Sequence, residues 1–255
     1  MLDRLNTYYV WLDAMLSGAL VTVQIVVLVM LIGIATGTGM ALMRLSKNWL
    51  VSGFAYVYVF VFRGTPLLLQ LYLIYFGLSQ FDFVRESFLW IFFREPYWCA
   101  VLALTMNTTA YTAEIVRGGI LSVPHGQVEA ARATGMSKAM VFRRLIMPVT
   151  IRQALPSYGN EVILMVKASS LASTVTVIEI TGAARRLYSR SYDPEVFMVA
   201  GAIYLLINWL AAELVQFAEY RMTPYLRQRS DDGKSAPLIE RLIARPLGMG
   251  QKASV

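Results

Sequence analysis

The chain has 255 residues, 57% of them hydrophobic and only 15% charged, with a mean hydropathy of +0.54. That balance excludes an ordinary soluble domain and requires several membrane spans. A net charge of +7 is compatible with nucleic acid, but in a membrane protein it more often marks cytoplasmic loops facing anionic lipid.

Residues 1–13 mix charges with aromatics suited to an interface, and the apolar run 14–43 is too long for a signal-peptide core, so it reads as a retained first span. Gly33, Gly37 and Gly39 within it allow close helix packing. Further spans are predicted over 51–78, 97–116, 149–168 (broken by Pro156) and 195–217, each near the roughly 20 residues needed to cross hydrocarbon. The connection 169–194 is semi-apolar and either re-enters the membrane or lies along its outer surface. Residues 1–226 thus form an all-α, five-span membrane domain, and the polar, Pro- and Gly-containing tail 227–255 is expected to be disordered. Cys99 is the one cysteine, so no intrachain disulfide forms; His125 is the one histidine, and no metal site is predicted.

Basic residues set the orientation. Arg44 and Lys47 follow span one, Arg117, Arg132, Lys138, Arg143 and Arg144 follow span three, and Arg221, Arg227, Arg229, Lys234, Arg241, Arg245 and Lys252 follow span five. On the other side Arg85, Arg94, Arg185, Arg186 and Arg190 are offset by Asp82, Glu86, Glu95, Glu179, Asp193 and Glu195. The positive-inside rule then puts the N-terminus outside and the C-terminus in the cytoplasm. In the tail, Gly233-Lys234-Ser235 lacks the glycine and the preceding strand of a phosphate loop, since Gln228 stands where the glycine belongs. No nucleotide site is recognisable, so any ATP chemistry belongs to a partner.

Polar residues at membrane depth are the candidate site. Arg63 lies mid-span, where Gly64 and Pro66 interrupt the helix; it either braces that break or lines a solute path. Asn107, Tyr111 and Glu114 share one helical face, with Tyr111 offering a ring to a cation and Glu114 near enough to pair with Arg117. Glu161 is an intramembrane carboxylate whose partner is either a solute cation or an internal Arg63 or Lys167.

The cytoplasmic stretch 129–148, EAARATGMSKAMVFRRLIMP, combines an Ala-rich helix, a bend at Gly135 and a second helix capped by Ser137. A DNA-binding helix-turn-helix shares this pattern, but the flanking spans hold the segment at the bilayer. Glu129-Ala130-Ala131, Gly135 and Leu145 with Met147-Pro148 resemble the EAA loop of ABC-importer permeases, with Leu145 and Met147 as conservative departures. FRGTPLLLQLYLIYFGLSQF, NTTAYTAEIVRGGILSVPHGQVEAARATG and LPSYGNEVILMVKASSLAST narrow the resemblance to the M-type (HisM-type) subunits of polar, cationic amino-acid ABC permeases, the group that includes octopine and nopaline permeases. The similarity covers roughly residues 10–225.

It implies a type I importer permease fold in the bacterial inner membrane. The loop would couple to ATPase subunits through Glu129, Ala130, Ala131 and Gly135. The other implied partners are a second permease chain, Q-type or a copy of itself, and a periplasmic solute-binding protein. The chain would be no enzyme and hold no cofactor, ATP and magnesium being bound by the ATPase. Its cargo would be a basic amino acid (histidine, arginine, lysine or ornithine) or an opine. Asn107, Tyr111 and Glu161 match positions lining the amino-acid pocket of arginine permeases, and Arg63 is added as a solute-path candidate. An ion-coupled secondary transporter, with Arg63, Glu161 and Lys167 as a relay, is the alternative; it predicts uptake without an ATPase.

Overall fold

A computed structural model describes residues 2–222, which contain helices and no strand; the predicted disordered tail 227–255 lies outside them. The first helix, α1, runs without interruption over Leu2–Arg44, so the N-terminal aromatic segment is continuous with the first span. Of this helix, Thr7–Arg44 is long and apolar enough to cross a membrane.

Span two is not one straight helix. Asn48 caps α2 (Trp49–Gly64) by accepting from the Leu50 amide at 3.0 Å. Thr65 then turns extended (φ −114, ψ 149), because Pro66 crowds the residue before it out of the helical region. The chain resumes as α3 (Leu67–Tyr72), a π-helical turn over Leu73–Gly77 and a 3₁₀ turn over Leu78–Gln80, at 107° to α2. Two single-turn helices, α4 (Asp82–Arg85) and α5 (Trp90–Phe93), lead to α6.

Helix α6 (Pro96–Leu121) is the buried axis of the bundle. Its 26 residues reach about 39 Å at the helical rise, yet Asn107, Tyr111, Glu114 and four threonines make it less apolar than the outer spans. Such a helix is tolerated at membrane depth because α1, α2 and α9 cover it. The contact with α1 is set by Gly33 and Gly37: a Cβ on Gly33 would stand 2.6 Å from Thr108 Cγ2, and one on Gly37 2.6 Å from Thr112 Cβ. Gly39 has open space beside it, so two of the three predicted glycines do the packing. Gly37→Leu is therefore expected to cost about 1–3 kcal/mol by overpacking. A lowered thermal midpoint of the detergent-purified protein would show it, with Gly39→Leu near wild type.

On the far side of α6, Pro124 starts α7 (His125–Ala133), followed by α8 (Lys138–Val141), a π-helical turn over Phe142–Ile146 and α9 (Met147–Ala168). The last three form one continuous rod. Pro156 does not break it as predicted: it lies inside α9 and removes one backbone donor without ending the helix. A 3₁₀ segment (Ser169–Val175) then leads to α10 (Ile180–Ser191) and to the last span, α11 (Glu195–Met222), five residues longer than predicted. Among the described residues α1 and α11 are long and apolar enough to cross a membrane. Up to four segments are, if Trp49–Gly64 with Leu67–Gln80 and Lys138–Val175 with Ile180–Ser191 each form one bent span; α6, predicted as the third span, packs among them.

The connection 169–194 is an ordered cap. Ile180, Ala183 and Ala184 pack with Trp11, Met15, Val196, Ala200 and Ile203. Glu179 is no exposed loop charge. It is fully buried, caps α10 by accepting from the Thr181 and Gly182 amides (3.0 and 2.9 Å), and accepts from the Tyr204 hydroxyl at 2.6 Å.

Candidate solute site and coupling segment

The bend in span two is held by side-chain amides. Pro66 has no N–H to give to the carbonyl four residues back, and a freed carbonyl at membrane depth needs another donor. Phe62 O receives Gln70 Nε2 at 2.9 Å and Asn107 Nδ2 at 3.2 Å. Gln70 also reaches Thr65 O and Oγ1 (3.1 and 2.7 Å), and its own Oε1 accepts from Asn107 at 3.0 Å. The brace for the break is thus Gln70 with Asn107, not Arg63. Gln70 was missed in the sequence, although a lone amide one turn after a proline in LLLQLY was its signal.

Arg63 lies beyond the brace with its guanidinium 5.2 Å from the centre of the Tyr111 ring. It lines a cleft of about 310 Å³ with Arg44, Tyr56, Gly64 and Glu114. Glu114 pairs with Arg117 at 2.7 Å, as expected, and also with Arg44 at 3.3 Å, which ties α1 to α6. Across from this face, Thr108 Oγ1 meets Met165 Sδ at 4.0 Å, where α6 packs on α9, the helix that carries Glu161. Glu161 is 6% exposed, with no hydrogen bond and no ion pair at contact distance among the described residues; of its two candidate internal partners, the Arg63 guanidinium acts on it through space. Lys167 is exposed, nearer the end of α9. The structure therefore brings Arg63 and Tyr111 into contact, engages the Asn107 amide hydrogens in the bend, and leaves Glu161 on α9 under the charge of Arg63 without a salt bridge at contact distance.

In the coupling segment, Gly135 adopts φ +82, with its N–H on Arg132 O (3.0 Å) and the Met136 N–H on Ala131 O (3.2 Å). This closes α7 as a Schellman motif. Ser137 caps α8 by accepting from Met140 N at 3.3 Å. Glu129 and Ala130 are exposed, and Ala131 is half-buried. Gly135→Val, forced into the left-handed region, is expected to cost about 1–2 kcal/mol in this turn. Uptake should fall at an unchanged amount of protein in the membrane, while Gly126→Ala, in open space, leaves it alone.

Residues 30–224 match the family of binding-protein-dependent transport system inner membrane components. The chain belongs to this family. It is 54% identical over 215 residues to the octopine transport system permease protein OccM of Rhizobium radiobacter, covering 84% of this chain and 88% of the relative. It is 38% identical over 236 residues to the histidine/lysine/arginine/ornithine permease HisM of Escherichia coli K12, covering 90% and 99%. A crystal structure of an amino acid ABC transporter with histidines superposes with a TM-score of 0.76 at 36% identity, over 84% of this chain and 97% of that one. The inward-facing MetNI methionine transporter shares the fold, with a TM-score of 0.66 at 18% identity over 84% and 96%. The chain is a membrane-spanning permease subunit of an ABC importer of the inner membrane.

Proposed function

We propose that this permease carries a basic amino acid (histidine, arginine, lysine or ornithine) or an opine into the cytoplasm. The observation that carries this reading is Glu161, a buried carboxylate in a membrane helix with no hydrogen bond or contact ion pair among the described residues, Arg63 acting on it only through space. A carboxylate in such surroundings is costly unless a cation joins it. Asn107 Oδ1 and the Tyr111 ring add an acceptor and a π face, and Arg63 is available for the solute's own carboxylate. The names of the octopine and histidine/lysine/arginine/ornithine relatives support the same class.

The N-terminus is periplasmic and the C-terminus cytoplasmic in this reading. ATPase subunits, which bind ATP and magnesium, grip α7 and α8 through Glu129, Ala130, Ala131 and the Gly135 bend. A second permease, Q-type or a further copy, completes the path, and a periplasmic binding protein delivers the solute. Transport is alternating access, with the permease pair as the two-state element that ATP and solute both bias.

The test is uptake by the whole transporter in proteoliposomes. ATP-dependent accumulation of labelled arginine or octopine, competed by the basic solutes and not by glutamate, is expected. Equal uptake of acidic or neutral amino acids would sink the solute class, and proton-driven uptake without the ATPase would sink the mechanism.

A further inference from the structure

The cleft of about 310 Å³ beside Arg63 lies between the end of α1, one face of α2 and α6. That is the small end of the about 300–1,000 Å³ usual for ligand sites. Tyr56, Val59, Phe60 and Arg63 recur along α2 at helical spacing, so they share the face that lines it. Helix α2 puts Tyr56 and Arg63 about 10 Å apart by helical rise, and a guanidinium stands at each end. Arg44, from α1, lies 4.8 Å from the centre of the Tyr56 ring, and Arg63 lies 5.2 Å from that of Tyr111.

Both guanidinium groups keep donors to spare. Arg44 gives its Nε to Glu114 at 3.3 Å, but its terminal nitrogens, like every side-chain nitrogen of Arg63, make no hydrogen bond among the described residues. A guanidinium over a ring face is held there by cation–π attraction while its N–H edge stays free for a planar carboxylate. The balance of charge points the same way. Among the described residues, Arg44, Arg63 and Arg117 are set against two carboxylates, Glu114 and Glu161, which leaves an excess of one positive charge. A plain basic amino acid brings one more on balance, and that excess repels it. A second carboxylate on the solute cancels the added charge, and it is the group that two arginines with unused donors recognise.

We propose that this cleft is a carboxylate subsite, and that the solute is a basic amino acid bearing a second carboxylate on its α-nitrogen, the chemistry of an opine such as octopine. Its cationic end goes to Glu161, one carboxylate to Arg63 and the second to Arg44. Arg44 is then the residue that separates such a solute from the parent amino acid, with Glu114 and Tyr56 holding its guanidinium in place. This rests on the reading of the solute as basic and goes further, choosing between the two classes named there.

The experiment is uptake of labelled arginine and labelled octopine by the whole transporter in proteoliposomes, with the ratio of their kcat/KM values as the readout. Octopine is expected to be preferred about tenfold or more, the worth of one further charge-assisted pair. Arg44→Gln should lower that preference about tenfold. Arg44→Lys, which keeps the charge but not the fork, should lower it about threefold. Where Arg44→Gln does not assemble, the wild type decides alone: octopine esterified on its carboxyethyl arm should compete no better than arginine. Three results would overturn the proposal: arginine taken up as well as octopine, ester and free acid competing equally, or Arg44→Gln lowering both solutes alike, which assigns Arg44 to the scaffold or to a subunit contact. The first of these leaves the basic-solute reading standing. Neutral or acidic amino acids entering as fast as arginine would sink that reading and this subsite with it.

Discussion

Glu161→Gln is expected to reduce transport of a basic solute by roughly tenfold to a hundredfold while raising, or at least preserving, the thermal midpoint of the purified protein. The side chain is 6% exposed and makes no hydrogen bond or contact ion pair among the described residues. A charged hydrogen bond to solute is worth about 1.5–3 kcal/mol, and each 1.4 kcal/mol is a factor of ten. Stability moves the other way, because glutamine keeps the shape and removes a buried carboxylate that no salt bridge at contact distance neutralises. A structural carboxylate would behave oppositely, losing stability first and transport as a consequence. Uptake and melting measured on the same preparation separate the two. A fall in both assigns Glu161 to the scaffold.

Gln70→Leu should lower both quantities together. The leucine leaves Phe62 O and Thr65 O without the Gln70 donor and strips Asn107 of one acceptor. Each buried polar group left unpaired costs about 1–3 kcal/mol, though Asn107 still reaches Phe62 O, so a net loss of about 2–4 kcal/mol is expected. As the 107° bend sets where Arg63 projects, transport falls with folding. An unchanged melting temperature would mean that the bend is held by something other than these amides.

The spans were legible wherever an apolar run and its boundary signals agreed, as in α1, α6 and α11. The coupling segment was legible in more detail, because its two determinants are local: Gly135 takes a positive φ and Ser137 caps the next helix. What sequence could not supply were partnerships across helices. Asn107 on the polar face of α6 reads equally as a ligand or a brace, and only the position of Phe62 O in space shows its amide committed to the bend. Glu179 looks like a surface charge in a loop until Thr22 and Tyr204 are seen to enclose it. Pro156 was taken for a break because proline acts locally, whereas the packing of α9 against α6 and α11 keeps the helix intact. Gly64 and Pro66 did announce an interruption, and Gln70 one turn on is a local sign of its brace, but neither the angle nor the share of Asn107 is encoded near them.

The uninterrupted run from Lys138 through the π-helical turn to Ala168 has a mechanical meaning. Lys138 and Glu161 are two points on a single lever, about 35 Å apart at the helical rise, with no hinge loop between them. Displacing its Lys138 end moves Glu161 without slack, so if the proposed roles of the two ends hold, the grip on cargo and the stroke of the motor are geared to the same shaft.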